Sequence, residues 1–253
     1  SEYSEYLRAR GLLYPFYADL LARVAAGKDG QAMHGPSILP EEAHIDAWLG
    51  DRAASWVTNH NGRPFFLWVG LPGPHNPFDP PEPYASQYRS EDMRRGISTP
   101  APDATAAVQV ARFALSATDR RLVQEMRAQY YGNISLIDNR VGRILASLEQ
   151  RHWLENTWVV YSSDHGELLG DHGLLWKSQF YESAVRVPLI IRPPDRLREV
   201  RRGVTSEALV ELLDVTASML DMAGASLPGQ QGKSLLPLVL GAADPAHHRR
   251  AVF

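Results

Sequence analysis

At 253 residues, with 26 basic against 29 acidic side chains and a formal net charge of −3, the chain can bury one sizeable core or form part of a larger one. No basic excess points to nucleic acid, no polybasic patch to a membrane surface, and no apolar run of about 18 residues to a spanning helix. Cysteine is absent, which excludes disulfides, thiolate metal sites and a cysteine nucleophile within these residues.

In chain order, Tyr6, Leu7, Leu13, Phe16, Tyr17, Leu20, Leu21 and Val24 recur at helical spacing, so residues 1–26 read as helix packed on a core. Gly27 to Pro40 reads as a loop. Pro40, Glu41 and Glu42 suit the start of a second helix, whose apolar face is Ile45, Trp48, Leu49, Ala53 and Trp56. His44 and Asp46 are expected on the other side of that helix, as surface or packing residues. After the Asn61-Gly62 turn, Phe65 to Leu71 is a buried-strand candidate. It runs into Pro72-Gly73-Pro74-His75-Asn76-Pro77, where prolines stiffen the loop that carries His75.

Residues 79–103 read as a surface excursion anchored by Tyr84 and Tyr88. Ser116 or Thr118 suits a helix cap. Leu122, Met126, Tyr130, Ile134, Ile137, Val141, Leu145 and Leu148 then predict one long helix near 118–150, packed on a sheet, with Asp138, Asn139 and Arg140 as solvated or capping groups. Trp158 to Ser163 is a second strand. With the first strand and the long helix it suggests a crossover unit with parallel strands. Arg186 to Ile191 is a third strand, irregular or at an edge because of Pro188. Leu209 to Met222 is an amphipathic helix closing near Gly224. Gly232-Lys233-Ser234 has the tail of a phosphate loop but lacks its upstream glycine spacing, and is read as a turn. The chain opens inside a helical pattern and stops at Ala251-Val252-Phe253, which looks like the start of a strand; a fragment of a larger domain, incomplete at both ends, is expected.

The chemistry concentrates after the second strand. Asp164 and His165 stand where α/β proteins place functional groups, at a strand's C-terminal end. Neighbours on a straight strand face opposite ways, so they converge only if the chain bends, which Gly166 permits. A carboxylate and an imidazole are two ligands of an incomplete metal shell, with the histidine moving the preference toward Mn or Zn. Lys177, thirteen residues after Asp164, can hold an anion.

Taken together, Phe65–Pro77, Tyr130–Leu145, Ser163–Gly173 (SDHGELLGDHG), Lys177–Glu182, Arg186–Ile191 and Glu211–Gly224 resemble the sulfatase family of the alkaline phosphatase superfamily. Phe78-Asp79-Pro80-Pro81-Glu82-Pro83-Tyr84 is most similar to the branch of phosphonate monoester hydrolases and choline-sulfatase-like enzymes. The resemblance implies an α/β fold with a mixed, largely parallel sheet sandwiched between helices, and a partial catalytic domain over residues 1–253. It implies a divalent metal (Mn, Zn or Ca) on Asp164 and His165, Lys177 on a sulfate or phosphate oxygen, and His75 serving the leaving oxygen. His172 lies in the matching loop and reads as packing. The family's nucleophile is a formylglycine made within Cys/Ser-x-Pro-x-Arg. Ser234 begins Ser-Leu-Leu-Pro, one place out of register, so that residue and the remaining metal ligands are expected upstream. On its own the chain is then expected to bind metal weakly and not to hydrolyse sulfate esters. The implied substrate is a small sulfate or phosphonate ester, without nucleic acid or membrane partners, in a possible homo-oligomer of the cytoplasm. The competing readings are a phosphonate monoester or phosphodiester hydrolase, and a non-catalytic domain that binds an anion or a protein.

Overall fold

The computed structural model describes residues 1–26, 33–97, 120–177, 179–244 and 246–252. The caps expected at Ser116 or Thr118 lie outside these residues. The chain forms two compact units: Ser1–Arg151 with Gly166–Val185, and His152–His165 with Arg186–Phe253. Each is described by itself. The class is α/β, as expected. Among the described residues no helix is long and apolar enough to cross a membrane.

In the first unit the opening helical stretch is two helices, α1 (Glu2–Ala9) and α2 (Leu13–Ala26). Ser1 caps α1 by accepting the Ser4 N–H, and Glu2 and Glu5 complement its positive end. The break falls at Gly11, whose φ of +71° is left-handed backbone that glycine adopts without strain. Leu7, Leu13, Leu39 and Ala43 form the core beneath them.

Helix α3 (Ile45–Asn59) starts at His44, whose ring Nδ1 accepts the Asp46 N–H at 3.4 Å. Of the surface and packing roles open to His44 and Asp46, the structure gives them packing: both are buried. The reason is the chain crossing that end of the helix: Asp46 has a loop amide to bind and His44 has Asp79 to face.

The long helix is α4 (Arg120–Gln150), starting close to the predicted position. It packs along α3 and against the 84–92 excursion, where a sheet had been expected. At the crossing, a Cβ on Gly50 would lie 2.5 Å from the Arg140 Cβ, so the two helices approach as closely as glycine allows. Arg140 is only 3% exposed and is not a solvated group: its guanidinium meets Glu41 and, at 3.0 Å, Asp51. The short helix α5 (Glu182–Val185) completes this unit.

Residues 65–71 keep a strand's period of two. Phe65, Leu67, Val69 and Leu71 are half-buried, while Phe66 and Trp68 are 72% and 73% exposed. They nevertheless form no ladder among the described residues. An extended segment becomes a strand only where a neighbouring segment takes its N–H and C=O groups in a regular ladder.

In the second unit, β1 (Val159–Ser162) and β2 (Leu189–Arg192) pair antiparallel, Val159 opposite Arg192 and Ser162 opposite Leu189. Among the described residues the sheet consists of these two strands. β2 begins immediately after Pro188, which has no N–H to give a ladder. Helices α6 (Leu212–Met222) and α7 (Leu236–Val239) follow. Asp214 and Glu211 form a reciprocal capping box at the start of α6. Asp214 also receives the Lys233 amide at 2.7 Å and the Arg249 guanidinium. Burial opposes its charge, but these donors outweigh burial and hold the carboxyl well below its usual range.

Candidate active site

In the first unit, His75 and Lys177 are brought into direct contact, Nζ to Nε2 at 2.5 Å. They are 102 residues apart in sequence. Two aromatic residues join the loops that carry them. Phe78, three residues after His75, is fully buried with Met126, Leu169 and Leu175. Trp176, next to Lys177, packs on the same cluster, its ring centroid 6.0 Å from that of Phe78. A sequence that puts a large apolar residue beside each polar one thus fixes both backbones while leaving the polar ends accessible.

The contact also specifies a proton. His75 Nδ1 lies 2.9 Å from the Asn76 carbonyl oxygen, which can only accept, so Nδ1 carries the hydrogen. Nε2 then offers its lone pair to the Lys177 ammonium. An imidazole protonated on both nitrogens could not accept that bond.

Glu167, which carries no motif signal of its own in the sequence, underlies the pair. Its Oε1 accepts the N–H groups of Leu169, at 3.2 Å, and Trp176, at 2.5 Å. Burial pushes its carboxyl up, partly countered by the two amides and the Lys177 charge. The signal available for Glu167 was its place directly after Asp164-His165-Gly166.

Asp171 accepts from Arg127 at 2.7 Å, from the Ser183 hydroxyl at 2.6 Å and from the Ile97 amide at 2.9 Å. His172 stacks on Tyr181 with centroids 3.9 Å apart, the packing role expected of it. Gly166 is sterically required: a Cβ there would lie 2.0 Å from the Ser183 carbonyl oxygen.

In the second unit, Asp164 and His165 lie just beyond β1 and do converge. Asp164 Oδ1 accepts the His165 amide at 2.9 Å, and its Oδ2 is 3.7 Å from His165 Nε2. The Asp164 side chain is 83% exposed. One oxygen and one ring nitrogen on the same side of a bend can meet one cation, and both are donor types that Mn, Zn or Ca accept. They would make part of a shell. Among the described residues no group of three or more His, Asp or Glu is placed to hold an ion.

Residues 12–225 match the Sulfatase family. The chain is 33% identical over 222 residues to the multifunctional alkaline phosphatase superfamily protein PehA of Trinickia caryophylli, covering 81% of this chain and 43% of that protein. It is 38% identical over 123 residues to the choline-sulfatase of Rhizobium meliloti, covering 47% of this chain and 23% of that protein. Among solved structures, the phosphonate monoester hydrolase SpPMH of Silicibacter pomeroyi superposes with a TM-score of 0.73 at 29% identity, covering 83% of this chain and 44% of that one. The chain thus spans less than half the length of these relatives. Its likeness to them extends across both units, and by that match the chain belongs to the sulfatase family of the alkaline phosphatase superfamily.

Proposed function

We propose that these residues are part of the catalytic domain of a metal-dependent hydrolase that cleaves sulfuric esters. The observation that carries the reading is the Lys177–His75 contact, an exposed ammonium and imidazole held nitrogen to nitrogen. Cleavage builds negative charge on the oxygens of a tetrahedral oxyanion and on the leaving oxygen. A fixed ammonium offsets the first, and a proton carried on an imidazole can serve the second.

In this reading Lys177 uses one of its three N–H bonds to hold His75 until the ester binds, and another to hold a sulfuryl oxygen. Nε2, released by Lys177 when the ester binds, takes a proton from solvent and gives it to the departing alcohol oxygen as that oxygen's bond to sulfur breaks, while Lys177 keeps its charge and Nδ1–H remains on the Asn76 carbonyl. In the second unit, Asp164 and His165 would hold the divalent cation, Mn, Zn or Ca, whose chemistry when bound is that of a Lewis acid. The attacking group is assigned to a formylglycine outside these 253 residues. A phosphonate monoester is the second candidate substrate, favoured by the likeness to the Silicibacter pomeroyi enzyme. Both substrates are tetrahedral oxyanions, so the same pair serves either.

The test is Lys177→Ala in the whole protein, assayed on a matched aryl sulfate and aryl phosphonate. Turnover on the true substrate is expected to fall by about 10²-fold or more. Near-normal turnover on both substrates would remove Lys177 from the reaction.

A further inference from the structure

The Lys177–His75 contact is made by side chains from two irregular loops, so it depends on what fixes the main chain at each. At the Lys177 end this is Glu167. One oxygen, Oε1, takes the amides of Leu169 and Trp176, closing the loop at the residue before Lys177. At the His75 end it is Asp46. Its Oδ1 takes the Gly73 amide at 2.9 Å, two residues before His75. Asp46 is 1% exposed, and a Cβ on Gly73 would lie 2.4 Å from Oδ2, so loop and carboxylate are in tight contact. Behind Asp46 stands His44, with Nδ1 3.6 Å from Asp46 Oδ2 and Nε2 3.7 Å from Asp79 Oδ1. The two ends thus share one device, a shielded carboxylate gripping a main-chain amide beside a member of the pair.

Resting on the roles given above to Lys177, holding the oxyanion, and His75, serving the leaving oxygen, we propose that Glu167 and Asp46 are positioning residues that set the Lys177–His75 contact through those amide hydrogen bonds. Neither touches the reacting atoms. Their effect is geometric: Lys177 follows Trp176 directly, so release of the Trp176 amide frees the backbone from which the ammonium extends. Release of Gly73 does the same for His75. Misplacement of a reacting group by about 1 Å can cost about 10²-fold in rate.

The idea separates an acceptor oxygen from a negative charge and from packing. Glu167→Gln and Asp46→Asn keep an oxygen able to accept the amides; Glu167→Ala and Asp46→Ala do not. The readout is the nitrogen NMR spectrum of histidine-labelled full chain, with the His75 ring signals assigned by their loss in His75→Gln. The native chain is expected to show the Nδ1–H tautomer with an accepting Nε2. The alanine variants, confirmed folded by circular dichroism, are expected to give the tautomer mixture of an unheld imidazole, and the amide variants the native pattern. In the whole enzyme the alanine variants should lower kcat about tenfold or more with little change in KM. The amide variants should recover it to within about threefold. Asp46 is deeply buried, so if Asp46→Ala fails to fold, the partly exposed Glu167 pair decides alone. Folded Glu167→Ala with native His75 signals, or Glu167→Gln as defective as Glu167→Ala, overturns the proposal. The two readings fail separately: unchanged turnover in Lys177→Ala removes the oxyanion role, whereas the ring signals test positioning without any turnover.

Discussion

Phe78 shows how one apolar residue governs two polar ones. It is fully buried, meets Tyr130 edge-on at 5.6 Å and Trp176 at 6.0 Å, and lies three residues from His75. Its amide and carbonyl are also bound, to the Met33 carbonyl at 2.8 Å and the Gly35 amide at 3.0 Å. Truncation to alanine removes the ring and leaves a cavity between the loops of His75 and Lys177. Phe78→Ala should lower stability by about 3–5 kcal/mol, read as a lower urea midpoint. Phe78→Leu, which refills most of the space, should lose clearly less. Equal losses would mean that the ring's volume is not what supports this cluster. The sequence marks Phe78 as the first residue of a family-like run, but not as a packing centre. The weight it carries comes from long-range packing, which local pattern does not record.

At the scale of elements, what was legible depended on how local the signal was. The α4 periodicity runs for many turns, and its existence and C-terminal end were readable because each turn repeats the same message. Residues 65–71 carried a true alternation, but a ladder needs a second chain segment, and periodicity cannot report whether one is adjacent. Arg140 was misplaced, and His44 and Asp46 were left between surface and packing, for one reason: the burial of a polar residue on a helix cannot be read until its partners are known. Those partners are Asp79, Gly73, Glu41 and Asp51, supplied from elsewhere in the chain. Of the candidate site, Asp164, His165, His75 and Lys177 were visible as residue types at loop or strand ends. Glu167 was not, because its role is to bind amides nearby in the loop.

The same crossing supports a test of the helix pair. The Cβ of an alanine at Gly50 would meet Arg140 Cβ at 2.5 Å and Cγ at 2.9 Å. These are the stem atoms of a buried side chain anchored by the partly exposed Glu41 and Asp51, so Arg140 cannot swing aside without breaking both ion pairs. Alanine is favoured over glycine in an isolated helix by about 1 kcal/mol. Overpacking costs about 1–3 kcal/mol and should win. Gly50→Ala is expected to lower the urea midpoint, and a rise would show that α3 and α4 separate easily at this point. Gly142, on α4, is the control: a methyl group added there would have nothing within 4 Å, so the same change should stabilise.

Across the first unit, buried carboxyls pull stability in two directions with pH. Asp46 and Asp79 are pushed up, chiefly by burial, although His44 between them draws both down; Glu167 is pushed up by burial as well. A carboxyl whose folded pKa is raised contributes stability that is complete below its unfolded value, about 4, and is lost as pH rises through the folded one. Asp171 has the opposite sign. Burial alone would raise it, but Ser183, the Ile97 amide and Arg127 outweigh burial and hold it low. Its contribution is complete above about pH 4 and disappears as pH falls through the depressed value. Lowering the pH from 7 should therefore first raise the urea midpoint, as the cost of charging Asp46, Asp79 and Glu167 is relieved, and then lower it below about pH 4 as Asp171 is protonated. Asp171→Asn should cost stability at pH 7, with the gap from the native chain closing as pH falls below about 4. Asp46→Asn should flatten the rise between neutral and mildly acid pH and leave the acid limb in place. A gap for Asp171→Asn that stays constant from pH 7 to pH 3 would mean that its ion pair with Arg127 contributes nothing to folding. Conversely, a gap that widens toward acid pH would reverse the sign argued here, because only a carboxyl raised by burial behaves that way.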